Sequence, residues 1–408
     1  MRFLILTQYF PPEIGAPQTR LWAFAKELAR RGHTVEVVTA MPNHPVGRVH
    51  RAYRRKLYVR ENWHGIRVHR TWIYAASGTG VRRMLNYISF AITSIFGLLR
   101  ARRQDFIFVE SPPLFLCIPA YAASLVRGGA VIFNVADLWP DSVRELGVMK
   151  EGPVLRVADA LERWAYRRAR YVNGVTTGIS EILLTKKNVD HEKLRFLPNG
   201  IDVEQFCPRP RDETLARSLD AHERFVLLYA GTHGVAQGLE TLIEAARLLA
   251  ARPFLFLFVG AGPTKDSLME RARRYSLDNV RFVGPQPIGE MPRYYSIASA
   301  SIVPLLRREL FKAARPSKIF PSLASGVPVL FCGEGEAAAL LTSAGAGLAI
   351  PPESPDALAE AAVRLSENPE MAAKMSRCAR DLAVSEYSWS AIVARWLADI
   401  RLEAAVGA

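Results

Sequence analysis

The sequence is poor in cysteine, and its cysteines are too scattered to organise a disulfide or metal framework. The 408 residues contain four cysteines and no C-x-x-C pair, at Cys117, Cys207, Cys332 and Cys378. This pattern argues against a disulfide-stabilised secreted domain and against a zinc site, and it favours a reducing, cytosolic compartment. The first residues enter a buried-strand pattern directly and show none of the parts of a secretory signal peptide, so we do not expect secretion.

Three motifs of nucleotide and metal chemistry are also missing. Neither half of the chain has G-x-G-x-x-G after its first predicted strand. This argues against a dinucleotide-dependent enzyme, because those glycines let the pyrophosphate approach the backbone. No G-x-x-x-x-G-K-[ST] occurs, which excludes P-loop chemistry. No D-x-D occurs either, so we expect no metal ion held between two aspartates and a diphosphate, and no other cofactor.

Acidic residues are outnumbered by basic ones in the first half of the chain only. Residues 1–202 carry 30 Lys and Arg against 16 Asp and Glu, whereas residues 203–408 carry 23 of each, so the whole net charge of +14 lies in the first half. Such an excess predicts an anionic partner, although a solvated basic face has the same composition. The pI of about 9.8 also admits a nucleic-acid-binding protein. That alternative is disfavoured, because no nucleic-acid motif appears and the arginines cluster beside apolar residues.

An apolar run covers residues 84–99 and is shorter than the ~20 residues needed to span a bilayer. Its length suits either a buried core helix or a helix lying in a membrane interface. Basic residues flank the run on both sides, at Arg82, Arg83, Arg100, Arg102 and Arg103. A second basic stretch precedes it, at Arg48, Arg51, Arg54, Arg55, Lys56 and Arg60. Since each basic residue near an anionic leaflet contributes about 1 kcal/mol, we predict peripheral attachment to the inner face of the cell membrane.

Short apolar runs alternate with amphipathic segments twice along the chain. In the first half this pattern predicts strands at 3–7, 34–39, 66–72, 106–110, 131–135 and 171–176, with a helix at 18–31. In the second half it predicts strands at 225–229, 254–259, 280–283, 301–305 and 327–331, with helices at 239–250 and 264–275. The turn-rich segment 197–202 separates the halves. The sequence therefore predicts an α/β protein of two Rossmann-like, doubly wound domains, with a cleft between the carboxyl ends of their strands.

Seven segments, in order along the chain, resemble bacterial family-4 glycosyltransferases. They are QYFPPEIGAPQTR at 8–20, AMPNHP at 40–45, VESPP at 109–113, NVADLWP at 134–140, LPNGID at 197–202, AGTHGVAQG at 230–238 and PSKIF at 316–320. As a set they span nearly the full length. They are most similar to enzymes of O-antigen and capsular polysaccharide synthesis, of the N-acetylfucosamine-transferase type.

The resemblance implies a GT-B fold and a retaining hexosyltransferase that needs no metal. In such enzymes the first domain, here residues 1–202, binds the acceptor, and the second, here 203–386, binds the nucleotide sugar. A last helix, here within 387–408, crosses back onto the first domain. The implied reaction moves an N-acetylated hexosamine or deoxyhexosamine from a UDP-sugar to a polyprenyl-diphosphate-linked saccharide, in O-antigen, lipopolysaccharide or capsule biosynthesis.

On the donor side, the residues depart from the family pattern. Without a metal, the leaving diphosphate is stabilised by cations and backbone dipoles. The family commonly supplies an arginine and a lysine where this chain has Thr232 and Gln237. Lys318, at the start of a predicted helix, is then the candidate cation, or else a solvated helix residue, and Arg315 is a second candidate. The candidate backbone N–H donors are Gly15, Thr232, His233 and Gly234.

Recognition of the ribose also departs from the family pattern. Much of the family carries E-x7-E, whose second glutamate accepts hydrogen bonds from the ribose hydroxyls. The aligned positions are Ala313 and Pro321, whose side chains cannot accept a hydrogen bond. The ribose must therefore be held differently, and Glu309 is an unaligned alternative.

On the acceptor side, polar residues follow the ends of predicted strands. Asp137 is the candidate that orients or deprotonates the acceptor hydroxyl, or it caps the turn before Trp139 and Pro140. Glu110, at another strand end, is the second catalytic candidate. The expected acceptor-binding residues are Asn43, His44 and Arg20, the last of which either pairs with an acceptor phosphate or faces solvent.

One other enzyme class shares the implied fold. A UDP-sugar 2-epimerase has the same architecture but needs no membrane helix. The basic-flanked apolar segment at 84–99 therefore favours the transferase.

Overall fold

The computed structural model describes residues 1–13, 15–44, 46–76, 80–145 and 152–406. The chain divides into two compact units. The first contains Met1–Asn199 and Ile392–Ala408, and the second contains Gly200–Ala391. The break thus falls inside the turn-rich segment 197–202, and the end of the chain belongs to the first unit.

The first unit is built on one sheet, whose order in the described ranges is β3-β4-β2-β1-β5-β6-β7-β8. The strands are β1 (Arg2–Leu6), β2 (Thr34–Ala40), β3 (Tyr58–Trp63), β4 (Ile66–Thr71), β5 (Phe106–Ser111), β6 (Ala130–Val135), β7 (Tyr171–Gly174) and β8 (Leu194–Phe196). Strands β1, β2, β5 and β6 are buried almost throughout, as in parallel sheets covered on both faces. The exception to the parallel pairing is β3, an edge strand that the sequence did not predict and that pairs antiparallel with β4.

Helices follow the strands of the first unit. They are α1 (Ala16–Arg30), α2 (Val81–Arg100), α3 (Cys117–Arg127), α4 (Asp141–Glu145), α5 (Pro153–Arg168) and α6 (Thr177–Thr185). Helix α1 has Pro17 in its first turn, where the missing N–H costs nothing. Its predicted apolar face, Leu21, Phe24, Ala25 and Leu28, is buried.

The second unit repeats the architecture with a fully parallel sheet, ordered β11-β10-β9-β12-β13-β14 in the part that the structure describes. The strands are β9 (Phe225–Ala230), β10 (Phe254–Val259), β11 (Val280–Val283), β12 (Ala300–Pro304), β13 (Val329–Cys332) and β14 (Gly347–Ile350). Along β9, Val226 and Leu228 join one core, and Leu227 and Tyr229 join the other. Because alternate side chains enter two cores, the sheet is covered on both faces, as predicted.

Helices surround the second sheet and connect its strands. They are α7 (Glu213–Ser218), α8 (Glu240–Leu248), α9 (Lys265–Arg274), α10 (Met291–Ile297), α11 (Glu309–Lys312), α12 (Ile319–Ala324), α13 (Glu336–Ser343), α14 (Pro355–Ser366) and α15 (Pro369–Leu382).

The last helix, α16 (Trp389–Val406), contributes the residues from Ile392 onward to the first unit. The ring of Trp396 is fully buried there. Its centroid lies 5.3 Å from that of Phe24, 6.0 Å from that of Phe3 and 6.2 Å from that of Phe108. The last helix is thus anchored by aromatic packing against α1, β1 and β5.

Helix α2 contains the apolar run at 84–99 and has two different apolar faces. The inner face packs on β2 and β4 through residues that include Phe90, Gly97 and Leu98. A Cβ on Gly97 would lie 2.8 Å from Cγ1 of Val38, so glycine permits this close approach. The outer face, here called the apolar stripe, is exposed and comprises Val81, Leu85, Ile88, Ile92, Ile95, Phe96 and Leu99. Among the described helices, none combines the length and apolar character required to cross a bilayer.

Candidate functional site

A buried ion pair lies at the carboxyl ends of the central strands of the first unit. Glu110, near the end of β5, is 2% exposed, and one of its carboxylate oxygens accepts a hydrogen bond from the guanidinium of Arg20. Arg20 also donates to Oδ1 of Asn199 at 3.2 Å. The alternative in which Arg20 only faces solvent is therefore wrong, and an acceptor phosphate would have to compete with Glu110 for this guanidinium.

Amide side chains extend this ion pair across the sheet. The second carboxylate oxygen of Glu110 accepts from Nδ2 of Asn134 at 2.9 Å, and Oδ1 of Asn134 accepts from Nδ2 of Asn173 at 3.3 Å. Nε1 of Trp396 donates to Oδ1 of Asn173 at 3.1 Å. Glu110, Asn134 and Asn173 are register partners on β5, β6 and β7. We call this set, with Arg20 and Trp396, the polar ladder.

The polar ladder revises the role predicted for Glu110. Both of its oxygens are occupied, and burial raises the pKa of its carboxyl while Arg20 and Asn134 oppose that shift. A base that attacks a substrate proton needs a free oxygen within hydrogen-bonding distance. Glu110 therefore fits a positioning residue for Arg20 better than the catalytic base that the sequence suggested.

Asp137 follows β6, and its carboxylate accepts hydrogen bonds from Ser142 and from the backbone of Leu138. Oδ2 of Asp137 accepts a hydrogen bond from Oγ of Ser142 at 2.9 Å, and Asp137 is exposed at the surface. Removal of water by the surrounding protein atoms raises the pKa of the Asp137 carboxyl, and the hydrogen bond from Ser142 opposes part of this rise. The backbone carbonyl of Asp137 accepts from the N–H of Trp139 at 3.0 Å, so the residue also shapes the turn before Pro140. Its catalytic role stays a prediction.

The loop with Asn43 and His44 is fixed by a buried carboxylate. Oε1 of Glu13 accepts from the backbone N–H of Asn43 at 2.6 Å and of His44 at 2.7 Å. The side chain of Asn43 is buried and donates to the carbonyl of Met41, so it does not face an acceptor. His44 is exposed, and its pKa is lowered by partial burial and by Arg83. Of the two, His44 remains the candidate for acceptor binding.

Gly15 stands at the start of α1 and leaves its helix end open. No side chain of the described residues caps this helix, and no acidic residue lies in its first turn. A Cβ on Gly15 would lie 2.5 Å from Oε1 of Gln18, so the glutamine side chain lies close against this glycine. The free N–H groups and the helix dipole favour an anion here, which keeps Gly15 as a candidate donor-binding residue.

In the second unit, the half-buried ammonium of Lys318 makes no hydrogen bond or ion pair with the residues that the structure describes. It lies 5.9 Å from the ring centroid of Tyr229, and burial lowers its pKa. A Cβ on Gly231 would lie 2.3 Å from Cε of Lys318, so the lysine crosses the end of β9 where a glycine gives it space. An uncompensated cation in such a site is costly unless an anion joins it.

His233 lies near Lys318 and is fully buried. Neither ring nitrogen has a hydrogen-bond partner among the described residues. Burial, with Lys265 and Lys318 nearby, lowers its pKa to about 4, so the ring is neutral at physiological pH. Its backbone N–H donates to the carbonyl of Ala261 at 2.9 Å. The prediction that this N–H binds the donor is therefore wrong, because the group is already used.

The other backbone donors of this loop remain available. The N–H groups of Thr232 and Gly234 have no partner within the described ranges. A Cβ on Gly234 would lie 2.7 Å from Oε1 of Gln237, so the glutamine side chain lies against this turn. Thr232, Gly234 and Gln237 thus stay candidates for contacts with the donor, with no positive charge of their own.

The guanidinium of Arg315 is already bonded to other groups of the second unit. Its guanidinium forms an ion pair with Glu336 and donates to the hydroxyl of Tyr387 at 2.8 Å. Because its charge is neutralised, Arg315 is unsuited to the predicted role of helping to hold a diphosphate. Glu309 is 86% exposed at its side chain and pairs with Lys312, so the structure gives no support to it as the ribose ligand.

Sequence reasoning missed Glu13 and the amide members of the polar ladder. Glu110, Asn134 and Asn173 are polar residues at one register of three otherwise apolar strands, and that pattern is a signal readable from the sequence. Glu13 gave no such signal, because its partners are backbone N–H groups. Across the described residues, no group of three His, Cys, Asp or Glu side chains is arranged to hold a metal ion.

Both halves of the chain match known families. Residues 15–200 match the glycosyl transferase 4-like domain, and residues 210–382 match the glycosyl transferases group 1. A glycosyl transferase of Escherichia coli (strain K12), named for colanic acid biosynthesis, is 30% identical over 373 residues, which cover 88% of this chain and 90% of that protein.

Solved structures show the same architecture. Sucrose-phosphate synthase of Thermosynechococcus elongatus is similar with a TM-score of 0.75 and 18% identity, over 100% of both chains. HepE of Anabaena, solved with UDP and glucose, has a TM-score of 0.72 and 17% identity, over 100% of this chain and 99% of HepE. The predicted fold of two Rossmann-like α/β domains of the GT-B kind is confirmed.

Proposed function

The chain belongs to the family-4 glycosyltransferases of the GT-B type, and from this premise we propose that it transfers a sugar from a UDP-sugar to a polyprenyl-diphosphate-linked saccharide. Transfer proceeds with retention of anomeric configuration. The sugar is an N-acetylated hexosamine or deoxyhexosamine, and the product enters a surface polysaccharide such as O-antigen, lipopolysaccharide or capsule. The first unit takes the acceptor, and the second takes the nucleotide sugar.

The observation that carries the proposal is the uncompensated ammonium of Lys318 at the end of β9. A leaving diphosphate supplies the anion that this cation needs, and in the described part of the chain no carboxylate competes for it. The free N–H groups of Thr232 and Gly234 lie on the loop that follows β9 and add hydrogen-bond donors. These groups provide positive charge without requiring a metal ion.

The choice of UDP follows from a structural neighbour. HepE was solved with UDP and glucose, and we extend that nucleotide to this chain. The colanic acid relative supports surface polysaccharide synthesis in the same way. Neither comparison identifies the sugar, which comes from the resemblance of the sequence motifs to N-acetylfucosamine-type transferases.

The charge and the surface of the first unit support an acceptor that lies at a membrane. All of the excess positive charge lies in residues 1–202, and the apolar stripe of α2 is exposed beside it. A basic surface with an exposed apolar helix face suits an anionic bilayer. We therefore propose a cytoplasmic protein attached peripherally to the inner face of the cell membrane. Asp137 then orients or deprotonates the acceptor hydroxyl.

The experiment is thermal melting of the full chain with UDP-, GDP- and TDP-sugars, in EDTA. A ligand that binds only the folded state adds RT ln(1 + [L]/Kd), about 2.7 kcal/mol at 100-fold saturation. We expect UDP-sugars to raise the Tm and Lys318→Met to abolish that shift. Without ligand, Lys318→Met should melt higher than wild type, because a half-buried cation without a partner has been removed.

Lys312→Met is the matched control. Its ammonium is more exposed and pairs with Glu309, so the same loss of charge should leave the UDP shift intact. No shift with any UDP-sugar, or a shift that survives Lys318→Met, would contradict the assignment of the donor site.

A further inference from the structure

Lys265, the first residue of α9, lies at the carboxyl ends of two neighbouring strands of the second unit. Its ammonium donates one hydrogen bond to the carbonyl of Gly260 at 3.0 Å and another to the carbonyl of Val283 at 3.1 Å. Gly260 follows β10 directly, and Val283 is the last residue of β11. Among the described residues no carboxylate forms an ion pair with Lys265, so its charge is held in position without being neutralised.

The glycines that border Lys265 and Lys318 touch each other between β10 and β9. The backbone N–H of Gly231 donates to the carbonyl of Val259 at 2.9 Å, and a Cβ on Gly260 would overlap the carbonyl oxygen of Gly231. The side chain of Lys318 crosses Gly231, and the ammonium of Lys265 is bonded to Gly260. The two lysines are therefore held at adjacent strand ends, and neighbouring strands in a sheet are about 5 Å apart.

The buried imidazole of His233 is an electrostatic neighbour of both lysines. Burial is the main cause of its low pKa, and the charges of Lys265 and Lys318 lower the pKa further. The carbonyl of His233 accepts from the backbone N–H of Thr264 at 3.1 Å and from its hydroxyl at 3.0 Å, so the loops after β9 and β10 are bonded together. Because the imidazole is neutral at physiological pH, it compensates neither ammonium.

Two ammonium groups at one sheet edge, without a counter-ion among the described residues, favour the binding of an anion. Like charges repel each other more strongly where protein atoms replace water, and a bound anion relieves this repulsion for both groups. An ammonium has three N–H donors, of which Lys265 uses two for the carbonyls of Gly260 and Val283. Its third N–H is left for a ligand.

A diphosphate matches this pair of cations better than a single carboxylate does. It carries more than one negative charge and has oxygens on two phosphorus atoms, so it can contact two ammonium groups at once. Its charge increases when the bond to the sugar breaks, so cations placed here stabilise the leaving group most. The loop after β9 has Thr232 and Gln237 where the family commonly has an arginine and a lysine, so a second cation must come from another element.

We propose that Lys265 is a second cation of the donor site and binds the diphosphate of the nucleotide sugar together with Lys318. The inference rests on the proposed function, which it deepens by naming a diphosphate ligand on α9. The carbonyls of Gly260 and Val283 hold the ammonium in place, and its remaining N–H donates to a phosphate oxygen. Lys265 and Lys318 then share the charge of the leaving diphosphate.

The test is calorimetric titration of the full chain with UDP, in EDTA, with uridine as the ligand that lacks the phosphates and is measured by competition. Lys265→Met should weaken UDP binding by about 10- to 100-fold, the range for a lost charge-assisted contact. The same variant should bind uridine as wild type does, which also shows that it is folded. Lys265→Arg keeps the charge and should lose less affinity for UDP than Lys265→Met.

Lys193→Met is the matched control. Its half-buried ammonium also donates to a backbone carbonyl, that of Arg167 at 2.8 Å, but in the first unit. The UDP affinity of Lys193→Met should equal that of wild type. If Lys265 only joined the two strand ends, Lys265→Met would weaken UDP and uridine binding by the same factor. That result, or a UDP affinity unchanged in Lys265→Met, would overturn the proposal.

The UDP melting shift separates this inference from the function on which it rests. A wild-type chain without the shift would contradict the proposed function, and the inference with it. A normal shift that is lost in Lys318→Met, together with a UDP affinity that does not change in Lys265→Met, would contradict the second cation alone.

Discussion

The indole Nε1 of Trp396 donates a hydrogen bond to Oδ1 of Asn173 at 3.1 Å, across 223 residues of sequence. Both groups are fully buried. Through Asn134 this bond connects the last helix to Glu110 and Arg20. The carboxyl-terminal helix therefore does more than cover apolar surface, because it completes the polar ladder at the ends of three parallel strands.

Removing this bond should destabilise the first unit. Trp396→Phe keeps an aromatic ring in the cluster but leaves Oδ1 of Asn173 buried without its donor. A buried acceptor that loses its partner costs about 1–3 kcal/mol, measurable as a lower denaturant midpoint. Trp164→Phe is the control, because no hydrogen bond of its indole N–H is found within the described ranges. Equal midpoints for the two variants would show that the Trp396 bond contributes nothing to stability.

The buried imidazole of His233 should make stability depend on pH in the acid range. Its folded pKa is lowered from 6.5 to about 4, so between these values the unfolded chain binds a proton that the folded chain does not. Stability therefore falls as the pH drops from 6.5 to 4, by up to about 3 kcal/mol, and this contribution vanishes well above pH 6.5.

His233→Leu has a similar volume and no titratable group. Its unfolding free energy, measured by denaturant titration at several pH values, should fall less steeply than that of wild type between pH 6.5 and 4. Because both proteins share every other titrating group, the difference between the two slopes belongs to His233. Parallel slopes would mean that the imidazole is protonated in the folded state.

The fall of kcat/KM at acid pH, here called the acid limb, should follow the protonation of the Asp137 carboxyl. A general base works only when deprotonated, and the hydrogen bond from Ser142 lowers its pKa. Ser142→Ala should therefore raise that pKa and move the acid limb of kcat/KM to higher pH. Asp137→Asn should lower kcat by about 10²–10⁴-fold, the usual contribution of a positioned base.

Ser124→Ala is a suitable control for that shift, since its hydroxyl binds the carbonyl of Gly129 instead of a carboxylate. An acid limb that stays in place in Ser142→Ala, with activity retained in Asp137→Asn, would assign Asp137 to the turn before Pro140 and not to catalysis.

The apolar stripe of α2 should carry the membrane attachment. Ile92 lies near the middle of the stripe and is 63% exposed. Ile92→Glu should weaken binding to phosphatidylglycerol vesicles by about 1.5–3 kcal/mol, the value of burying such a side chain. Leu248→Glu places the same charge on an exposed apolar position of the second unit and should bind as wild type does. Vesicle co-sedimentation in which both variants bind equally would contradict this attachment.

Elements with strong periodicity could be predicted from the sequence. The strand predicted at 254–259 is β10, whose six consecutive apolar residues bounded by turns have few alternatives. The strand predicted at 280–283 is β11. Three strands were missed. Strand β3, with the sequence YVRENW at a sheet edge, has no run of apolar residues, while β8 and β14 have only three and four residues. Such strands are determined by their neighbours in the sheet.

The candidate site likewise contains residues that could be identified from the sequence and residues whose partners could not. Lys318 could be named as a candidate cation from the sequence, because it lies in the PSKIF segment at 316–320, at the start of a predicted helix. Arg315 and Glu110 were assigned to ligand binding and catalysis, yet the structure pairs them with Glu336 and Arg20. Their partners lie 21 and 90 residues away. Periodicity carries no information about which distant charge neutralises which, so these contacts required the structure.

The central claim is tested most directly by the product of one reaction. The full chain is incubated, in EDTA, with a panel of UDP-sugars and a polyprenyl-diphosphate-linked saccharide, and the lipid fraction is analysed by mass spectrometry. The account predicts that one UDP-N-acetylhexosamine or deoxyhexosamine adds one sugar residue to the lipid-linked acceptor, with UDP released in equal amount and the reaction lost in Lys318→Met. An unchanged acceptor together with a 2-epimerised UDP-sugar would contradict it and identify the epimerase instead.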